Sequence, residues 1–126
     1  MAETEKITIN LSVVDLGKID LLVEEGFYSN RTDFIRSAVR QQLYWHDSAL
    51  QESVVRRALV LGVLHYSRQE LEALRDKGEH VAAHVVGLLI IDDDVPAQLA
   101  QQVFDSVKVF GSIQGTKAVK KALGRV

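Results

Sequence analysis

Cysteine is missing from all 126 residues. That excludes disulfides and thiolate metal sites, and it points to an intracellular, cytoplasmic chain. No long apolar run is present either. The longest, Val85–Ile91, is far too short to span a bilayer. The opening residues "MAETEKIT" carry acidic groups and no apolar stretch, so no secretory signal is expected. Charge of neither sign is in marked excess: the net value is −2. Residues 1–46 alone hold five Lys/Arg against seven Asp/Glu, so a nucleic-acid surface must come from local placement of charge. Also lacking is any nucleophile–base constellation, phosphate loop or metal-ligand cluster at a recognisable spacing, which argues against an enzyme.

What is there begins with "EKITINLS", residues 5–12. Lys6, Thr8 and Asn10 alternate with Ile7, Ile9 and Leu11, the period of a strand with one apolar face. No second strand follows in the next 45 residues. Ser12 and Asp15 read as a capping box opening a helix, with Leu16, Ile19, Leu22 and Val23 at helical spacing and Gly26 as its stop. Ser29 or Asn30 can cap a second helix, with Asp33 in its first turn. This helix carries Ile35, Val39 and Leu43 on one face and is expected to end near Trp45 or His46. Arg36 and Arg40 read as surface residues or partners of Glu24 and Glu25. Some 45 residues with one strand and little apolar material cannot build a core alone. The economical answer is a strand paired with its own copy in a second chain, as an antiparallel ribbon. Ile7, Ile9 and Leu11 then face the helices, and Lys6, Thr8 and Asn10 face outward. A polar strand face is ordinarily just solvated, but such a ribbon fits the DNA major groove.

The stretch "KITINLS…GFYSNRTDFIRSAVRQQL" resembles the ribbon-helix-helix transcriptional regulators of the Arc/MetJ/CopG type, over roughly residues 5–45. The resemblance implies an intertwined homodimer that binds double-stranded DNA. It implies base reading by Lys6, Thr8 and Asn10, and phosphate contacts at the start of the second helix by Ser29, Asn30 and Arg31. Glu3 and Glu5 beside Lys6 depart from the more basic reading strand common in that family.

Beyond a polar linker or helical extension at 47–58, residues 59–126 change texture. "VLGVL", "VVGLL" and "VFGSI" align on Gly62, Gly87 and Gly111, spaced 25 and 24 residues apart. Leu71 and Leu74, Val95 and Leu99, and Val119 and Leu123 follow their glycines by eight or nine and then twelve positions. This is a threefold repeat of strand, turn and short helix, whose middle strand reads as covered on both faces. The fold class is therefore α+β: a ribbon-helix-helix domain over 1–46, then a solenoid-like β/α repeat domain, with a ferredoxin-like sheet as the alternative. Open ends of such a stack seek partners, so the repeat is expected to join dimers into tetramers or larger arrays.

Regulators of this kind often add a ligand-sensing domain, and the nickel-responsive ones invite a comparison with His65, His80 and His84. Four apart, His80 and His84 would share one helical face. Against that stand the missing cysteine, which the nickel site uses, and a histidine spacing that does not match. Asp92–Asp94 reads either as a hard-cation site or as a turn whose last Asp caps a helix at Pro96. No cofactor is expected. The leading function is a sequence-specific DNA-binding repressor. The alternatives are the antitoxin of a toxin–antitoxin pair, a metal-responsive regulator, and a purely structural assembly protein.

Overall fold

A computed structural model describes residues 4–124; Glu3 lies outside them. The chain divides into two compact units, residues 4–52 and residues 53 onward.

In the first unit, residues 4–12 carry no regular secondary structure and join no described β-sheet. The alternating pattern predicts a strand there. A strand exists only with a neighbour to bond to, and among the described residues the chain supplies none. Helix α1 (Val13–Glu24) starts at Ser12, whose hydroxyl oxygen accepts from the Asp15 N–H at 3.0 Å. Gly26, at φ +87°, turns the chain out of it. Helix α2 (Arg31–Trp45) starts at Asn30, and α3 (Asp47–Arg56) follows after His46 alone. Ile19, 5% exposed, is the one buried apolar side chain described in this unit. Val39 and Leu43, on the apolar face of α2 where core residues are expected, are more than half exposed. Their helix face is left uncovered by the described residues of this unit.

The second unit repeats β1 (Val60–Tyr66), α4 (Arg68–Asp76), β2 (Val81–Ile91), α5 (Ala97–Val103), β3 (Phe104–Gln114) and α6 (Lys117–Ala122). The sheet runs in the order β1-β2-β3 and both pairings are parallel. A ferredoxin-like sheet would need antiparallel neighbours, and none occur among the described strands. Register aligns the repeat: Gly62 sits opposite Gly87, and Gly87 opposite Gly111. Their φ values are +131°, +137° and +126°, a region closed to side chains. A Cβ on Gly87 would collide with the Gly62 carbonyl oxygen, and one on Gly111 with that of Gly87. Glycine is therefore a packing requirement of the sheet at Gly87 and Gly111, and at Gly62, where a Cβ would meet nothing within 4 Å, a requirement of φ alone.

Leu71 of α4, Leu99 and Val103 of α5 and Val119 of α6 are buried together with Ala83, Val85, Leu89 and Ile91 of β2. That places all three helices on one side of the sheet. The alternate β2 residues Val86, Leu88 and Ile90 are only half-buried, so the expectation of a strand covered on both faces is corrected. Crossovers of one hand that advance the strands steadily in one direction deliver every helix to the same side. Covering both sides requires the strand order to reverse, and here it does not. Asp94 is not a helix cap either: Pro96 holds the cap position of α5 without a side-chain hydrogen bond. The Asp94 carbonyl instead accepts from Arg68 at 3.3 Å.

Candidate nucleic-acid interface

Lys6, Thr8 and Asn10 are exposed, and so are their apolar neighbours: Ile7 is 78% exposed and Ile9 54%. Water thus reaches both alternating sets of side chains. Leaving two isoleucines and Leu11 in water forgoes roughly 1.5–3 kcal/mol each. An exposed apolar set beside a polar set is the pattern of a segment whose covering surface lies outside its own chain.

The loop into α2 is built tightly. Tyr28 and Phe34 stack edge to face at 5.0 Å, bracketing the turn. The Asn30 side-chain oxygen accepts from the Asp33 N–H at 2.8 Å, and the Asp33 carboxylate accepts from the Ser29 N–H at 2.9 Å. Two donors of the helix start are satisfied reciprocally, in the manner of a capping box. Asp33 therefore occupies the anion position that the helix N-terminus offers.

Arg31 reaches back across the turn to α1. Its Nε and Nη2 each donate at 2.8 Å to the two carboxylate oxygens of Asp20. These hydrogen bonds hold the Asp20 carboxyl below its usual range and the guanidinium above its own. The pair lies in water, about half exposed on both sides, where a competing anion can reach it. A forked guanidinium suits phosphate as well as carboxylate. Sequence reasoning missed Asp20 as the mate of Arg31 because the two stand on different helices, at no periodic spacing. Arg36 and Arg40 are exposed, and no ion pair joins them to Glu24 or Glu25 among the described residues.

The three histidines are not brought together. His65 on β1 pairs through Nε2 with Asp92 at 2.6 Å. His80 precedes β2 and pairs with Asp105 at 3.4 Å. His84 lies within β2, beside the Ser106 hydroxyl at 2.9 Å. The shared helical face imagined for His80 and His84 does not exist, since that segment is strand. His65 sits opposite Ile90, six residues along β2 from His84, or about 20 Å at strand rise. No group of three His, Asp or Glu able to hold a metal occurs among the described residues.

The family model of the ribbon-helix-helix transcriptional regulators matches residues 2–120, through both units. The chain belongs to that family. Ribbon-helix-helix regulators bind DNA, typically dimerise and are generally non-enzymatic. The match extends well past the helix pair, so the β/α repeat belongs to what defines this family. Comparison with curated proteins and with solved structures gives no match. No helix among the described residues is long and apolar enough to cross a membrane.

Proposed function

We propose that this ribbon-helix-helix regulator is a sequence-specific repressor, in which residues 5–12 of two chains form an antiparallel ribbon that enters the major groove. The observation that carries this reading is the bare apolar set of Ile7, Ile9 and Leu11. It lies ahead of a helix pair with one buried side chain. A second copy supplies both the missing strand and the missing core, covering Val39 and Leu43 as well. The alternation then turns Lys6, Thr8 and Asn10 toward base edges.

Ser29, Asn30 and Arg31 meet the backbone at the start of α2. Arg31 does so by exchanging the Asp20 carboxylate for a phosphate, a swap between two acceptors of similar geometry. Phosphate contacts position the dimer, and the ribbon gives the sequence preference. One lysine per strand implies a small counterion-release term. Several dimers side by side would compensate, and joining them is the role given to residues 59–126. The packed repeat favours this over an antitoxin, whose toxin-wrapping tail is expected to be unstructured.

The test is selection of bound fragments from a random DNA pool, followed by gel shifts with Lys6→Ala/Thr8→Ala/Asn10→Ala. The parent is expected to enrich a repeated half-site and the triple variant to lose it. Equal binding by parent and variant would show that the ribbon is not the reader. Adding Ni²⁺, Zn²⁺ or Co²⁺ is expected to leave the shift unchanged.

A further inference from the structure

With the three helices of the repeat on one side of the sheet, the other side presents Leu61 and Val63 of β1, Val86, Leu88 and Ile90 of β2, and Phe110 of β3. Leu61 is 61% exposed and Val63 54%. Single apolar residues on a surface are ordinary, but six on three adjacent strands form one continuous patch.

The patch carries opposite charges at its two ends. Near the start of the strands, the Arg57 guanidinium and the Lys108 ammonium lie over the Phe110 ring, at 5.0 and 5.2 Å from its centre. Both cations are exposed. Beyond the end of β2 stands Asp92, drawn to the open face by its contact with His65 Nε2. That contact uses one carboxylate oxygen, and a carboxylate has a second for a further donor. Leu88 marks the middle. Lys108 is in register with His84, and Leu88 is as far along β2 from His84 as from Asp92, about 13 Å at strand rise. A surface with an apolar centre, cations at one end and a carboxylate at the other is complementary to itself after a half-turn.

We infer that the open face of the sheet is covered by the same face of a chain from another dimer, related to it by a twofold axis that runs across the strands near Leu88. The two sheets then stack about 10 Å apart with their strands antiparallel. Leu88 meets its own copy, Val86 lies over Ile90 of the other chain, and Arg57 and Lys108 reach the other Asp92 carboxylate. A half-turn about an axis along the strands would bury the same patch, but it would set the cations against their own copies. Like charges opposed in this way cost several kcal/mol, so charge selects the antiparallel arrangement. The ion pairs fall at the rim, where water still reaches them.

This inference rests on the reading of residues 59–126 as the element that joins dimers, and it names the surface and its occupant. The contact is isologous, so each face takes one partner. Each dimer carries two such faces.

The experiment is sedimentation of the full chain without DNA over a hundredfold concentration range. The variants are Leu61→Lys, Lys108→Glu, Asp92→Lys and the double variant Lys108→Glu/Asp92→Lys, and thermal unfolding checks that each remains folded. The parent is expected to reach at least four chains, and the three single variants to stay at two. The double variant should again exceed two chains, because the pair is restored with its signs exchanged. A parent plateau at two overturns the proposal together with the joining role. A parent of four or more with Leu61→Lys unchanged overturns the face contact and leaves the joining role standing. So does a set of charge variants that assemble like the parent, or a double variant no better than the single ones. DNA binding is not read by this assay, so its outcome does not touch the regulator reading.

Discussion

The two units of this chain solve the same problem in opposite ways. Residues 4–52 bury one apolar side chain among those described, whereas the β/α repeat buries twelve. The helix pair is capped at both starts, but among the described residues of its own unit it has no second layer on which to close. The repeat generates its own second layer, because each crossover lays a helix over the strand it has just left. On the proposed reading, stability in the first unit depends on a partner chain, and in the second on close backbone packing. That difference can be tested from both sides.

The largest effect is expected at the glycine series. Gly87→Ala places a methyl group on the Gly62 carbonyl at a φ closed to alanine. Strain and overpacking together cost about 3–5 kcal/mol. Denaturant unfolding should show the repeat lost and the helix-pair dimer retained. A variant with parental unfolding would mean that the glycine period is incidental.

On the other side, Ile9→Ala should cost about 2–4 kcal/mol per chain. The loss should appear as weaker dimerisation, with an unfolding midpoint that moves with protein concentration. The repeat should unfold at its parental midpoint. A concentration-independent midpoint for residues 4–52 would refute the borrowed core.

The comparison also explains what was legible in the sequence. The helix start at Ser12, a second start narrowed to Ser29 or Asn30 that falls at Asn30, and an end narrowed to Trp45 or His46 that falls at Trp45 follow from local chemistry that neighbouring residues determine. The glycine period of 25 and 24 residues showed the repeat of strand, turn and helix, and the sheet pairs those same glycines in register. Less legible was everything that depends on which side of an element a neighbour lies. The all-apolar run of β2 suggested cover on both faces, but apolarity alone cannot tell a covered face from one awaiting a partner. The Arg31–Asp20 fork joins two helices across a turn, and His65–Asp92 joins a strand to the loop after the next one. Neither pair has a spacing that sequence can show.

The fork gives the next test. Asp20→Asn removes the carboxylate charge that engages Arg31 while leaving an acceptor in place. DNA binding should strengthen several-fold, and the salt slope should steepen by about 0.9 for each phosphate that a released arginine neutralises. Unchanged affinity and slope would remove Arg31 from the phosphate contacts. Arg31→Ala should weaken binding to all sequences alike.

A smaller effect is expected where α3 gives way to β1. Ala58 has φ +51°, while the N–H groups of Ala58 and Leu59 bond back to the carbonyls of Val55 and Val54. This is a left-handed helix end of the kind that glycine ordinarily fills. Ala58→Gly should therefore stabilise the repeat unit by about 0.5–1 kcal/mol, since the left-handed penalty disappears and some unfolded-state entropy offsets it. Equal or lower stability in denaturant titration would show that the strain is absent in solution.

The smallest effect concerns pH, and it separates the units again. The hydrogen bond to Asp92 raises the His65 pKa above its ordinary 6.5, against a smaller opposing effect of burial. A raised folded-state value means that protonated His65 stabilises the fold. That contribution is fully present below the unfolded pKa and is lost as pH rises through the folded one. Both side chains are more than a third exposed, so the effect is screened and should fade in high salt. Between about pH 5 and 9, the unfolding transition of the repeat should lose stability with a slope that His65→Gln flattens. The helix-pair transition should keep its slope in both proteins. If His65→Gln leaves the slope of the repeat unchanged, the contact with Asp92 does not persist in solution.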